Sequence, residues 1–126
     1  MSKTIFSVVM LALILTSGIL ANVYINKTFD SLDVKLCEIK ECLENDDIDG
    51  AEQKTANLNG WWDSKKHGLE FITYSQDLRL ISSGIGETLG SLNNADKNNA
   101  MSKVVSLLVI SKTTRDMLSV TIENIF

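Results

Sequence analysis

Few side chains in this 126-residue chain can carry chemistry: Cys37, Cys42, the single histidine His67, a run of acids from Asp30 to Glu52, and the adjacent Trp61 and Trp62. Cys37 and Cys42 stand five positions apart, so on one helix they point about 140° from each other and cannot bond together. Cys42 flanks an apolar stripe and reads as a small hydrophobe, whereas Cys37 lies on the opposite side with Val34 and Glu41 and is a candidate free thiol able to bridge to another molecule. Metal ligation asks for more than one histidine and two cysteines at this spacing, and no zinc pattern is present.

Asn45-x-Asp47-x-Asp49-Gly50 imitates the first half of a calcium-binding EF-hand loop. The second half departs from it: Ala56 stands where a bidentate glutamate belongs, and Glu52 where an apolar residue belongs. The segment reads as a capped, solvated turn, with weak cation binding as the alternative. Catalysis finds no support. There is no Gly-rich phosphate loop or nucleophile elbow, and Glu70 and Asp77, seven apart on one helix face, are what any charged face offers. The chain is expected not to be an enzyme and to need no cofactor.

The acids are concentrated. Asp30 to Glu52 holds nine against Lys35 and Lys40, a net of −7, while residues 53 to 126 hold seven acids and eight bases, for a chain total of −4. That balance excludes a basic nucleic-acid binder and disfavours laying the acidic stretch on anionic lipid, but it can steer a basic partner. Glu38, Glu41, Asp46 and Asp47 are the candidate partner contacts there. Trp61 and Trp62 are the others: of two consecutive residues on a helix, one can face the core while its neighbour lies about 100° around, toward a flank, a partner or a membrane interface.

These residues must be held by helices. The chain has no proline, and its seven glycines are sparse before Gly84, which removes the punctuation that a β-sandwich needs; no segment alternates at period two. Thr4 to Ile25 is uncharged and apolar, long enough to cross a hydrocarbon core of about 30 Å. The competing reading is a cleaved signal with a small-residue site at Ser17, Gly18 and Ala21, which Ile19 and the continuing Asn22-Val23-Tyr24-Ile25 make a poor match. Residues 1–26 are therefore expected to be a membrane anchor touching the bilayer through residues 4–25, with Tyr24 as an interface anchor. Residues 27–126 are expected to form the domain. Lys3 and Lys27 make the charge vote nearly even, and the short tail before the span places residues 26–126 outside the cytoplasm.

Beyond the anchor, Phe29, Leu32, Leu36, Ile39 and Leu43 recur at spacings of three and four, as do Ile48, Ala51, Thr55, Leu58 and Trp62. Gly68 after Lys65-Lys66-His67 predicts the second helix end. Phe71, Ser75, Leu78, Ile81, Ile85, Leu89 and Leu92 predict a third helix, in which Ser82, Gly86 and Gly90 would let a neighbour approach closely. Asn93 to Asp96 reads as a turn, followed by a long stripe of Met101, Val104, Leu108, Ser111, Arg115, Leu118, Ile122 and Ile125. Arg115 is expected to bury its stem and reach an acid, and the apolar middle around Val105, Val109 and Ile110 predicts burial by more than one neighbour. The expected fold is all-α: the N-terminal span, then an antiparallel bundle of four helices near 28–45, 47–66, 68–91 and 94–125.

The order of these features resembles a family of small bacterial proteins of unknown function, found mainly in Firmicutes, with one N-terminal membrane segment and a helical domain. The resemblance is carried by the anchor, Asn45-Asp46-x-x-x-Gly50-Ala51, Leu58-x-x-x-Trp62 before a lysine pair, and Thr121-Ile122-Glu123-Asn124-Ile125-Phe126. It implies no catalytic residues. The family's genes often neighbour those of a multi-pass membrane protein, which implies a membrane-protein partner; Tyr74 stands where the family pattern carries a histidine. A looser similarity is to tetratricopeptide-type hairpins, carried by the Asn-Asp turn with Ala51 and Leu58. The expected function is a membrane-anchored, non-enzymatic interaction or scaffold module. The alternatives are a secreted helical factor released by signal cleavage, or a weak cation or redox sensor using Asp47, Asp49 or Cys37.

Overall fold

The computed structural model describes the backbone of residues 2–72 and 76–125 and the side chains of residues 2–70 and 76–118. Four helices follow one another: α1 (Ser2–Glu44), α2 (Ile48–Ile72), α3 (Gln76–Asn93) and α4 (Lys97–Ile125). They pack as a ring in which α1 meets α2 and α4, and α3 meets α2 and α4, an up-down-up-down bundle with short connections. No strand occurs among the described residues.

α1 is one unbroken helix of 43 residues, about 65 Å long. Its first half is apolar and exposed on every side, with Ile5, Phe6, Val8, Leu11, Leu13 and Leu15 all turned outward. Its second half supplies Ile25, Phe29, Leu32, Leu36, Ile39 and Leu43 to the core. Burial begins earlier than the sequence pattern implies: Gly18 is buried, and Ala21 and Tyr24 are half-buried against the core, so the division after residue 26 falls within a packed stretch of helix.

The two hairpin turns are copies of one another. Asp47 N–H donates to the Cys42 carbonyl at 2.8 Å and Asp46 N–H to Leu43 at 3.1 Å; Asp96 N–H donates to Ser91 at 2.8 Å and Ala95 N–H to Leu92 at 3.0 Å. Both are Schellman closures through a left-handed residue, Asp46 at φ 59° and Ala95 at φ 55°. Asp47 and Asp96 then cap the next helix, accepting from Gly50 N–H at 3.0 Å and Asn99 N–H at 3.1 Å. Each residue n of the first turn is matched by n+49 in the second, and the correspondence extends into the core: Leu32 with Ile81, Leu36 with Ile85, Leu43 with Leu92, Ala51 with Ala100, Leu58 with Leu107 and Leu69 with Leu118 are buried pairs. The bundle is two equivalent helical hairpins face to face.

Three expectations are corrected. α2 does not stop at His67 but runs to Ile72, because Gly68 serves packing: a Cβ there would meet the Tyr24 ring, with Cζ at 2.9 Å. In α3 the close approach falls at Gly84, where a Cβ would lie 2.5 Å from Leu107 Cδ2, while Gly86 and Gly90 face open space. The buried face of α4 is Ala100, Val104, Leu107, Ser111, Thr114 and Leu118, with Met101, Leu108 and Arg115 at its flank and Val105 and Val109 exposed. A helix apolar on most sides does not reveal which stripe faces inward; α1 and α3 both pack on α4, and the side turned away from them, with Val105 and Val109, stays exposed. The side chains of Phe71, Ile122 and Ile125, and Tyr74 and Ser75 as a whole, lie outside the described residues.

Candidate functional site

The far end of the bundle carries the acidic turn. Asp46 pairs with Lys97, tying the first turn to the start of α4, and Glu38 reaches Lys54 at 3.5 Å. Glu41, Asp46 and Asp47 are exposed there. Asp47, the candidate calcium ligand of the sequence pattern, uses Oδ1 to cap α2, and Gly50 supplies the room: a Cβ would lie 2.7 Å from the Asp47 carboxyl carbon. Among the described residues, no group of three His, Cys, Asp or Glu side chains is placed to hold a metal ion.

Trp61 and Trp62 separate as consecutive helical residues must. Trp62 is 1% exposed, meets the Phe29 ring edge-on at 6.1 Å, and donates Nε1–H to Ser82 Oγ at 2.9 Å. It is a core residue and offers a partner no surface. Trp61 is half-buried, with the Lys35 ammonium 5.1 Å from its ring centroid. Lys35 lies ten residues beyond Ile25 on α1, about 15 Å along the helix, so Trp61 sits on the flank of the bundle away from the apolar segment.

A groove of about 440 Å³ runs between α1 and α4. Phe29 and Leu108 line it, with Cys37 and Asp33 on the α1 wall and Lys112 and Arg115 on the α4 wall. Cys37 is exposed and Cys42 half-buried, each a free thiol. From the flank of the buried row Arg115 still makes the expected contacts: its stem is partly buried, Nε donates to Asn26 Oδ1 at 3.2 Å, and a terminal nitrogen lies 2.6 Å from Asp30. Deeper in α4, the Thr114 hydroxyl is buried without a hydrogen-bond partner among the described residues.

The structure thus brings the candidate residues to three places: Glu41, Asp46 and Asp47 at the far turn, Glu38 and Trp61 along the α1–α2 flank, and Cys37 in the α1–α4 groove. Sequence reasoning missed the Tyr24–Gly68 and Trp62–Ser82 contacts, which join residues far apart in the chain. The repeated turn was available as a signal: Leu43-x-Asn45-x-Asp47-x-x-x-Ala51 recurs as Leu92-x-Asn94-x-Asp96-x-x-x-Ala100.

A domain of unknown function, DUF4363, matches residues 19–125. The chain belongs to the DUF4363 family. The DUF4363 match begins at Ile19, one residue after the buried Gly18, and covers the rest of α1 with all of α2, α3 and α4, so the packed end of the apolar segment is part of the family unit. No curated protein and no solved structure matches the chain.

Proposed function

We propose that this DUF4363 protein is a single-pass, membrane-anchored interaction module without enzymatic activity. Its helical domain stands outside the cytoplasm and works beside a membrane protein. The observation that carries the reading is the unbroken α1. Its Thr4–Leu20 portion is apolar and stripped of protein neighbours except at Gly18, while the remainder packs in the bundle. A soluble helix of this composition would be covered, and only a small part of the apolar window is buried. The partner-facing surfaces are the acidic far turn and the Trp61 flank; both are charged or amphipathic and project from a rigid rod.

The test has two parts. The chain should remain in the membrane pellet after alkaline carbonate washing, and the protein recovered there should retain residues before Ala21. A mature protein starting near Asn22 would replace the anchor with the secreted-factor reading. Crosslinking in native membranes followed by pull-down should then capture a membrane protein, and reversing the acidic turn with Asp46→Lys and Asp47→Lys should reduce its yield.

A further inference from the structure

A bilayer crossing needs about 20 helical residues, but α1 acquires protein neighbours sooner than that. Thr4 to Ser17 is 14 residues, about 21 Å of helix, against a hydrocarbon core of about 30 Å. From Gly18 onward the helix is already packed: Gly18 and Ile25 are buried, and Tyr24 donates its hydroxyl to the Lys65 carbonyl at 3.1 Å. The neighbours continue toward the apolar end. α2 runs four residues past Gly68, about 6 Å, and α4 runs ten residues past Arg115, about 15 Å beyond its contact with Asn26.

The outward face of α1 over the same stretch stays apolar. Ile19, Leu20 and Val23 are exposed at 65%, 64% and 44%, at the level where Ala21, Tyr24 and Ile25 pack inward. After Lys3 the next charge on α1 is Lys27, and the antiparallel α2 brings Lys65, Lys66 and His67 to about the same level through the Tyr24 contact. The acidic turn lies about 30 Å farther along α1.

From this geometry we infer that the base of the bundle is a lipid-contacting surface: the ends of α2 and α4 pass through the headgroup layer of the membrane that α1 crosses and reach its outer acyl region. Ile19, Leu20 and Val23 meet acyl chains, and Lys27, Lys65, Lys66 and His67 lie at the level of the lipid phosphates. The inference rests on the membrane-span reading and goes beyond it, because a span alone is equally compatible with a bundle held clear of the bilayer on a bare stalk. Lysine stems reach along the protein surface and place their ammonium groups among phosphates without withdrawing the helix ends. The domain is thereby fixed in height and tilt, with its acidic turn presented away from the anionic surface.

The test uses the full-length chain in nanodiscs of mixed phosphatidylglycerol and phosphatidylcholine. Nitroxide labels go at single cysteines in a Cys37→Ser, Cys42→Ala background, at the exposed positions Val8→Cys, Val23→Cys, His67→Cys and Asn98→Cys, with circular dichroism verifying the helical fold. Expected are oxygen-rich, nickel-poor environments at Val8 and Val23, and nickel accessibility at His67 severalfold below that at Asn98. In the unsubstituted protein, a paramagnetic headgroup lipid should broaden the amide signals of Lys27 and of Lys65 to His67 but not those of Asn94 to Asn99. If Val8 is shielded while Val23 and His67 are as open to nickel as Asn98, the bundle stands clear and the inference is overturned with the span intact. If Val8 itself is open to nickel, the span reading fails and the inference fails with it.

Discussion

The Tyr24 ring lies over Gly68, and the Tyr24 hydroxyl donates to the carbonyl of Lys65 one turn earlier on α2, at 3.1 Å. Two residues 44 positions apart (68 − 24) thereby join the apolar segment to the second helix. A glycine that looks like a helix stop is a helix contact, and an aromatic that looks like a membrane-interface anchor is half-buried in protein.

Gly68→Ala should therefore destabilise the bundle by about 1 kcal/mol, since the gain in helix propensity is offset by displacing the Tyr24 ring. Gly60→Ala, on the same helix with open space around it, should stabilise by about 0.5–1 kcal/mol. Thermal melts in detergent followed by circular dichroism compare the two. Combining Gly68→Ala with Tyr24→Ala should give a cost smaller than the sum of the single changes; strict additivity would mean the residues do not touch in solution.

The tryptophans should respond unequally. Trp62→Ala removes the largest buried side chain, leaves a cavity beside Phe29, and should cost about 3–5 kcal/mol. Ser82→Ala leaves the buried indole N–H without its partner and should cost about 1–3 kcal/mol. Trp61→Ala removes a half-buried ring at the edge of the core together with its contact with Lys35 and should cost about 1–2 kcal/mol. Chemical denaturation of the three variants ranks them, and a larger loss for Trp61 than for Trp62 would refute the assignment of core and flank.

The duplicated turns make a paired prediction. Asp47→Ala and Asp96→Ala each remove a carboxylate cap and should each cost about 0.5–2 kcal/mol. Ala95→Gly relieves a left-handed alanine and should add about 1 kcal/mol, as should Asp46→Gly apart from the loss of its ion pair with Lys97. Melting temperatures of the four variants test whether the two ends are energetically alike.

Thiol chemistry should separate the cysteines. A maleimide added to the folded protein should modify Cys37 severalfold faster than the half-buried Cys42. Mild oxidation should give no Cys37–Cys42 bond within one chain, because their side chains leave the helix about 140° apart. Peptide mapping by mass spectrometry reads both results.

Local chemistry wrote much of this architecture. Spacings of three and four along Phe29 to Leu43 and Ala51 to Trp62 state helices and their buried faces, since a 3.6-residue period places such residues in line whatever surrounds them. The caps at Asp47 and Asp96 are equally local, and so is the length of the uncharged segment. What the residues could not decide alone was decided between helices. Lys65-Lys66-His67-Gly68 carries every mark of a C-terminus, yet α2 continues because Tyr24 needs the space above Gly68.

On α4, apolar residues occupy several sides, so the choice of Ala100, Leu107 and Thr114 over Met101, Leu108 and Arg115 as the buried row depends on where α1 and α3 come to rest. The same holds for α3, where three glycines offer equal freedom and only Gly84 faces Leu107. Periodicity and capping depend on neighbours within a few residues, and the sequence states them directly. The choice among faces and glycines is a matter of shape between segments dozens of residues apart, and it exists only once the two hairpins have closed on each other.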